Sequence, residues 1–357
     1  MNRVLQIAVI ADDITGAADT GVQFCPVVGP IHMASAAEGA FTTVIQSAGL
    51  ALFTDTRNVD AATATARVRA TGEIVCSLAP RRVYKKIDSC LRGNVGAEID
   101  ALLQTTNAAA SFVAPALPQQ GRTTVNGVHR VYGVPVAETE IGRDPLCPVR
   151  ESRLPVLLST QSQMPVGHVD LACIEEGSAS MAERVHRLMR QGCRLLTFDA
   201  VHTAHLDAVA NLAREHVERI LLVGSAGLAG SLARIMARDL PSLAAADRPS
   251  IAKWLFVCGS SSRVLADQVA MLTRSASWAC QMLDPFVLTS SEGSSQQVLH
   301  SAGLVDAWSS GSLILCLKPI IDAGSTVRPD RVVRGLAKAA AALITAEVPE
   351  GLFLSGG

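Results

Sequence analysis

The chain has few aromatic residues and no excess of either charge. Aromatic side chains make up 4% of the 357 residues, while small apolar side chains are abundant. A core of this kind favours close packing of helices on a sheet over a β-sandwich. The 31 basic and 32 acidic residues give a formal charge of −1, without the basic stripe that nucleic-acid partners normally select. We therefore expect no nucleic-acid partner.

The sequence also lacks paired cysteines, a leader and a membrane span. Its nine cysteines are irregularly spaced and none forms a CxxC pair, which is typical of reduced thiols in the cytoplasm. The apolar start of the chain ends at Asp12, too early for a signal peptide. No apolar run long enough to cross a bilayer is free of charged or strongly polar breaks. The sequence predicts a soluble, cytoplasmic protein without membrane contact.

Short apolar runs alternate with segments of helical periodicity, of which 96–103 and 331–345 are the clearest. This alternation predicts an α/β fold of mostly parallel sheets with helices on both faces. The segment 239–250, rich in alanine and proline, is interpreted as a linker. We expect two domains, residues 1–240 and 250–357. The apolar runs are 4–10, 50–54, 83–87, 111–113, 195–198, 220–223, 254–257, 313–317 and 352–354.

Polar side chains collect where several of these runs end. In open parallel sheets, ligands bind beyond the carboxyl ends of the strands. The sequence therefore predicts a binding site at one edge of the first sheet. The residues expected there are Asp12, Asp13, Asp55, Arg57, Asp88 and Ser89.

The adjacent acids Asp12 and Asp13 stand between the first strand and a Thr-Gly turn that begins a helix. One acid at this point would cap the helix and interact favourably with its dipole. Two acids at an open sheet edge indicate a group that binds a hydroxyl or accepts a proton. Both interpretations stay open, and the functional one is favoured.

A second motif, KKIDSCLRGN, occupies residues 85–94. Alternation along the strand places Lys86 and Asp88 on one face and the preceding lysine on the other. A lysine at the end of a buried strand is costly unless it is paired or bound to an anion. With Ser89, Arg92 and the following helix N-terminus, Lys86 could hold a carboxylate. The alternative is an ion pair between Lys86 and Asp88.

Other segments carry weaker signals. The polar stretch 119–144 is predicted as a long loop beside the sheet, of the kind that serves as a lid or binding loop. The glycine-rich turns 224–230 and 259–262 could expose backbone amides to a phosphate. Neither matches GxxxxGK[ST], and no GxGxxG follows a strand, which argues against a P-loop enzyme and a nicotinamide-dependent dehydrogenase.

Taken in order, these motifs resemble those of the four-carbon acid sugar kinase family. The resemblance implies an N-terminal sugar-acid domain, a C-terminal nucleotide domain and an active site in the cleft between them. It also implies ATP-dependent phosphorylation of the terminal hydroxyl of D-threonate or D-erythronate, with Mg²⁺ on the ATP phosphates. The matching segments are ADDITGAADTGVQF (11–24), KIDSCLRGN (86–94), GRTTVNG (121–127), GSAGLA (224–229), GSSS (259–262) and SGG (355–357).

The candidate site residues combine the motif match with the chemistry of the strand ends. A carboxylate would orient the attacking hydroxyl, and Asp13 and Asp88 are the candidate catalytic residues. No protein ligand to a metal is expected. The sugar acid would be held by Asp12, Arg57, Lys86, Ser89 and Arg92, and the nucleotide by Ser260, Ser262, Gly356 and Gly357.

The sequence departs from the family pattern at three points. Cys90 and Leu265 stand where the family usually has threonine, and family members continue past Gly357 with a second glycine-rich loop. The nucleotide domain is therefore expected to be incomplete at its C-terminus. A sugar-acid-binding protein without catalysis and a 3-oxo-tetronate 4-kinase stay open as alternatives, although the segment 19–23 is more similar to the threonate and erythronate kinases. A homodimer also stays open.

Overall fold

A computed structural model describes residues 4–38, 47–144, 146–215, 220–240, 251–260, 263–275, 278–289, 303–318 and 328–355. The chain divides into two compact units, Met1–Ala245 and Ala246–Gly357. Most of the predicted linker lies outside the described residues. Each unit contains a parallel sheet with helices, so the predicted α/β class is confirmed.

The first unit is built on a parallel sheet whose order is β2-β3-β1-β4-β11-β5-β10-β9. Its strands β1, β5 and β11 are short, almost wholly apolar and fully buried, which is typical of strands covered on both faces. The strands of the unit are β1 (Ile7–Ala11), β2 (Ile31–Ser35), β3 (Gly49–Phe53), β4 (Val83–Lys86), β5 (Ala110–Ala114), β6 (Arg122–Val125), β7 (Val128–Val131), β8 (Val134–Pro135), β9 (Val166–Val169), β10 (Leu195–Phe198) and β11 (Ile220–Gly224).

Helices cover both faces of this sheet. Along β1, Ile7 and Val9 pack into one core cluster, while Ala8 and Ile10 pack into another on the opposite face. The first cluster includes side chains of α1 and α8, and the second includes side chains of α2 and α3. The helices are α1 (Ile14–Val28), α2 (Ala61–Ser77), α3 (Val95–Thr106), α4 (Leu154–Gln161), α5 (Leu171–Glu175), α6 (Ser178–Arg190), α7 (Thr203–Arg214) and α8 (Ala226–Asp239).

The strand order creates a switch point between β1 and β4. After β1 the chain proceeds to β2 and β3 on one side of the sheet, and after β4 it proceeds to β5 on the other. Connections that diverge in this way leave a crevice at the carboxyl ends of the two strands. Asp12 directly follows β1, and Asp88 comes two residues after β4. The fold therefore brings these two acids to the crevice where such sheets bind ligands.

The segment predicted as a long loop contains instead a small antiparallel sheet of β6, β7 and β8. Asn126 and Gly127 connect β6 to β7 with φ angles of 51° and 74°, the geometry of a tight hairpin turn for which Asn-Gly is preferred. The loop prediction was wrong because the Asn-Gly pair between two short β-branched runs was not recognised as a hairpin signal.

The second unit contains a parallel sheet of order β13-β14-β12-β15. Three of its strands and its last helix match predicted segments, whereas β13 was not predicted. None of the described helices is long and apolar enough to cross a membrane. The elements are β12 (Trp254–Cys258), α9 (Arg263–Ser275), β13 (Ala279–Leu283), α10 (Pro285–Thr289), α11 (Leu304–Ser309), β14 (Leu313–Leu317), α12 (Pro329–Ala346) and β15 (Gly351–Ser355).

Candidate active site

Three carboxylates surround one guanidinium at the carboxyl edge of the first sheet. Arg57 Nε lies 2.7 Å from Asp12 Oδ2, and Nη1 lies 2.8 Å from Asp13 Oδ2. Nη2 lies 3.5 Å from Asp88 Oδ1. Burial by itself lowers the pKa of Arg57, but the carboxylates of Asp12, Asp88 and Asp13 outweigh burial and raise that pKa. Arg57 is therefore charged, and it joins the ends of β1, β3 and β4.

The two adjacent acids have different tasks. Asp13 Oδ1 accepts a hydrogen bond of 2.7 Å from the backbone N–H of Gly16, so Asp13 is the N-cap of α1. Its second oxygen binds Arg57, which leaves both oxygens occupied. Asp12 is 3% exposed, and only its Oδ2 is bonded. Its Oδ1 is buried without a hydrogen-bond partner in the described part of the chain.

Asp88 is held from several directions. Its oxygens accept from Arg92 Nε at 3.0 Å and from Nη2 at 3.1 Å. Oδ2 also accepts from the backbone N–H groups of Cys90 at 3.1 Å and Arg92 at 3.2 Å. Burial alone would raise the pKa of Asp88, but Arg92, Arg57 and Lys86 hold it well below its usual range. Asp88 is thus ionised at neutral pH and organises the loop that follows β4.

The two lysines that end β4 have opposite surroundings. Lys85 is fully buried, and its Nζ lies 2.6 Å from Glu98 Oε2 on α3. Lys86 is 4% exposed and makes no ion pair with any residue that the structure describes. Its Nζ lies beside the first turn of α1, where a β-carbon on Gly16 would come within 2.9 Å of it. The predicted alternative, a direct Lys86–Asp88 ion pair, is not formed.

The hairpin supplies side chains that the sequence interpretation did not name. His129 is fully buried, and its Nε2 donates to the carbonyl oxygen of Ser89 at 2.8 Å. Arg122 lies near the thiol of Cys90, where its charge opposes the rise that burial causes in the pKa of that thiol. Both residues lie in or next to the GRTTVNG segment, so the motif could have indicated that this region matters for the site. The spacing of residues along the chain could not predict their contacts with the loop after β4.

The remaining predicted residues lie in different places. Asp55 is exposed, has a φ of 50° and stays outside the Arg57 cluster. In the second unit, Ser260 comes just after β12, where the backbone N–H of Gly259 donates to Ser355 O at 2.8 Å. The predicted nucleotide residues Ser262, Gly356 and Gly357 lie outside the described residues. The structure therefore brings together Asp12, Asp13, Arg57, Lys86, Asp88 and Arg92, with Ser89 on the same loop.

Comparison with known proteins identifies the family of the chain. The family described as a sugar-binding N-terminal domain matches residues 7–232, more than half of the chain. The D-threonate kinase of Salmonella typhimurium is 37% identical over 238 residues, covering 64% of this chain and 53% of the kinase. The chain belongs to the four-carbon acid sugar kinase family.

Other members of the family differ in the substrate they are named for. The D-erythronate kinase of Heliobacterium modesticaldum is 32% identical over 218 residues, covering 57% of this chain and 47% of the kinase. The 3-oxo-tetronate kinase of Brucella melitensis is 27% identical over 286 residues, covering 74% of this chain and 62% of the kinase. The chain spans about half the length of these curated D-threonate and D-erythronate kinases.

Solved structures share the fold of this four-carbon acid sugar kinase family member. A Salmonella typhimurium protein described as a putative tRNA synthase has a TM-score of 0.80 at 25% identity, covering 99% of this chain and 86% of that one. A Bordetella bronchiseptica domain, described as a domain-swapped dimer with bound citrate, has a TM-score of 0.57 at 30% identity. It covers 98% of this chain and 83% of that one.

Proposed function

We propose that this chain serves ATP-dependent phosphorylation of the terminal hydroxyl of D-threonate or D-erythronate. The observation that carries the proposal is a buried acceptor without a partner and a buried lysine without an ion pair, which follow adjacent strands of the described sheet. Asp12 Oδ1 is buried and unpartnered, and Lys86 is buried without an ion pair in the described part of the chain. Ala11 and Lys86 are register partners, so Asp12 and Lys86 extend from adjacent strand ends.

Lys86 is the proposed partner of the substrate carboxylate. A carboxylate that leaves water needs a charge-assisted donor, and a buried ammonium without a counter-ion is suited to that role. Arg57 is less suited, because its three nitrogens already contact Asp12, Asp13 and Asp88. We infer that Arg57 positions Asp12. The citrate named for the Bordetella bronchiseptica structure supports a preference for hydroxy-carboxylates in this family.

Asp12 is the proposed acceptor for the attacking hydroxyl. In phosphoryl transfer a carboxylate that orients the nucleophile contributes mainly by positioning. The sequence favoured Asp13 and Asp88 as candidates, but both oxygens of each are already bonded. Those of Asp13 bind the first turn of α1 and Arg57, and those of Asp88 bind Arg92. We therefore propose that the attacking hydroxyl binds Asp12 Oδ1, and that Asp13 and Asp88 hold the surrounding side chains and loop in place.

ATP is proposed to bind the second unit at the turn after β12, where Gly259 and Ser260 lie at the carboxyl end of a parallel strand. The roles of Ser260, Ser262, Gly356 and Gly357 remain predictions. The three carboxylates around Arg57 do not fit a resident Mg²⁺, because the guanidinium occupies their centre. The described residues contain no cluster of three or more histidine, cysteine or acidic side chains suited to a metal. We propose that Mg²⁺ arrives with the ATP phosphates.

Titration calorimetry and a coupled assay of ADP release test this function on the same preparation. The ligands are D-threonate, D-erythronate, 3-oxo-tetronate and the neutral polyol threitol, which lacks the carboxylate. We expect one of the acids to bind at least tenfold more tightly than threitol. Release of ADP should depend on that acid and should fall at least a hundredfold in Asp12→Asn, which retains the shape of the side chain.

The outcomes separate the readings that the sequence left open. A preference for 3-oxo-tetronate would assign the chain to that branch of the family. Acid binding without ADP release would favour a sugar-acid-binding role without catalysis. If none of the acids binds better than threitol, the proposed function is rejected.

A further inference from the structure

One face of the β6–β7 hairpin is directed at the loop that follows β4. Arg122 and Thr124 are two residues apart on β6, and His129 is the register partner of Thr124 on β7. All three side chains therefore lie on one face of the hairpin. From this face His129 contacts the Ser89 carbonyl, and the charge of Arg122 acts on the nearby Cys90 thiol. The hairpin thus touches the loop on which Asp88 and Arg92 lie.

The hydrogen bonds of His129 define the tautomer of its imidazole ring. The Ser89 carbonyl oxygen can only accept, so Nε2 carries the proton and donates to it at 2.8 Å. Nδ1 then accepts from the hydroxyl of Thr124, 3.0 Å away. Burial lowers the pKa of His129 to about 4, which keeps the ring neutral at physiological pH. Both ring nitrogens are used, and neither is free for proton transfer.

The hairpin itself is firmly attached to the first unit. Asp199, at the end of β10, accepts from the backbone N–H groups of Asn126 at 2.7 Å and Gly127 at 2.9 Å. Thr124 pairs through its backbone with Ala200. These bonds fix both the turn and one strand, so the ring of His129 is presented from a rigid support and not from a mobile lid.

The loop 88–92, which His129 contacts, contains an unfavourable backbone conformation. Leu91 has a φ of 67°, a conformation that costs free energy for a residue with a side chain, and Gly93 has a φ of 94°. The turn is wound around the Asp88 carboxylate, which accepts the backbone N–H groups of Cys90 and Arg92. A carbonyl contact at Ser89 holds the start of this turn.

We propose that His129 is a positioning residue for the sugar-acid site, and that the β6–β7 hairpin acts as a fixed clamp on the loop 88–92. By donating to the Ser89 carbonyl, His129 keeps the loop wound around Asp88, so that Ser89 and Arg92 face the substrate. This inference rests on the proposed function for its effect on the sugar acid. The effect on the loop itself is independent of that function.

Two variants of His129 isolate the bond to Ser89. In His129→Gln the amide nitrogen reaches about as far as Nε2 and can still donate, whereas the shorter side chain in His129→Asn cannot. His168→Gln is the matched control, because His168 Nδ1 also bonds a threonine hydroxyl, that of Thr197 at 2.9 Å, but does not contact the loop.

The first measurement is amide hydrogen exchange in a peptide covering residues 88–94, which does not depend on activity. We expect at least tenfold faster exchange in His129→Asn, and exchange within about threefold of the wild type in His129→Gln and His168→Gln. Equal exchange in His129→Asn and the wild type overturns the inference, whatever the sugar-acid result. If His129→Asn does not fold, His129→Leu, which fills a similar volume and also lacks the donor to Ser89, replaces it, and unchanged exchange there overturns the inference as well.

The second measurement is the affinity for the best-bound four-carbon acid. We expect about a tenfold loss in His129→Asn, with recovery to within about threefold of the wild type in His129→Gln. Faster loop exchange with unchanged affinity overturns the positioning role. If the wild type binds no acid, the proposed function fails, while the exchange experiment still decides whether the hairpin clamps the loop.

Discussion

Strand β4 ends with two lysines whose side chains lie on opposite faces of the strand and differ in their partners. Lys85 points into the core and is neutralised by Glu98 at 2.6 Å, with a further bond of 2.9 Å to the carbonyl of Lys86. Lys86 points to the ligand crevice, is equally shielded from water and has no ion pair in the described part of the chain.

The difference suggests that two neighbouring residues serve different purposes, Lys85 the stability of the fold and Lys86, as we propose, the binding of a ligand. A buried charge with its own counter-ion contributes to the structure, and removing one partner leaves the other uncompensated. A buried charge without a counter-ion is a cost that a bound anion can offset. The ion pair of Lys85 is therefore structural, whereas we propose that the ammonium of Lys86 binds a ligand.

The largest effect is expected on the structural face. Lys85→Met should lower the free energy of unfolding by about 3–5 kcal/mol, because Glu98 would be left without the cation that it pairs with in the described part of the chain. For a domain of this size that corresponds to a melting temperature roughly 10 °C lower. Thermal unfolding measures the loss, and the double variant Lys85→Met with Glu98→Leu should recover most of it. An unchanged melting temperature in Lys85→Met would contradict the structural role.

On the other face, Lys86→Met should change binding and leave stability nearly intact. We expect the affinity for the sugar acid to fall by about tenfold to a hundredfold, since one charge-assisted bond is lost. The melting temperature should change little, because Lys86 forms no ion pair in the described part of the chain and acts on Asp88 only at longer range. Calorimetry and thermal unfolding on the same sample test both. The two faces would not differ as proposed if Lys86→Met lost stability and retained its affinity.

Lowering the pH tests the contribution of Asp88 on the Lys86 face of β4. Burial alone would raise the pKa of Asp88, but in the folded state Arg92 chiefly lowers it. A carboxyl with a lowered pKa stabilises the fold above its unfolded-state pKa of about 4, and this stabilisation is lost as the pH falls below that value. Asp88→Asn should therefore be less stable than the wild type by on the order of 2 kcal/mol at pH 7. Urea unfolding between pH 3 and pH 7 should show the difference shrinking below pH 4. A difference independent of pH would refute the assignment.

The smallest effect is expected at the outer end of the same network. Arg92 Nη1 lies 3.4 Å from Asp144 Oδ2, and both side chains are partly exposed. Asp144 Oδ1 accepts from the backbone N–H groups of Leu146 and Cys147, bonds that asparagine can retain. Asp144→Asn should change the free energy of unfolding by less than about 0.5 kcal/mol, and less still in high salt. A loss as large as that of Asp88→Asn would show that the network extends to the surface.

Most of the described strands and helices, and the edge of the sheet at which polar residues gather, were predictable from the amino-acid sequence. Apolar runs such as those of β1 and β11 predicted strands, because a strand buried on both faces tolerates few polar residues. The acids after β1 and the Lys-Ile-Asp segment after β4 predicted a polar rim, because polar groups that follow buried strands emerge at one edge of a parallel sheet. The motifs also predicted the family, which is confirmed.

The partner of each charged group depends on the tertiary structure. Arg57 and Asp12 are 45 residues apart in the chain, and His129 and Ser89 are 40 apart. Their contacts depend on the order of strands across the sheet and on where the hairpin is attached, which local periodicity does not encode. The same holds for the distinction between Asp12 and Asp13. Two neighbouring carboxylates look alike in a sequence, and only the positions of the α1 amides and of Arg57 leave one oxygen of Asp12 free.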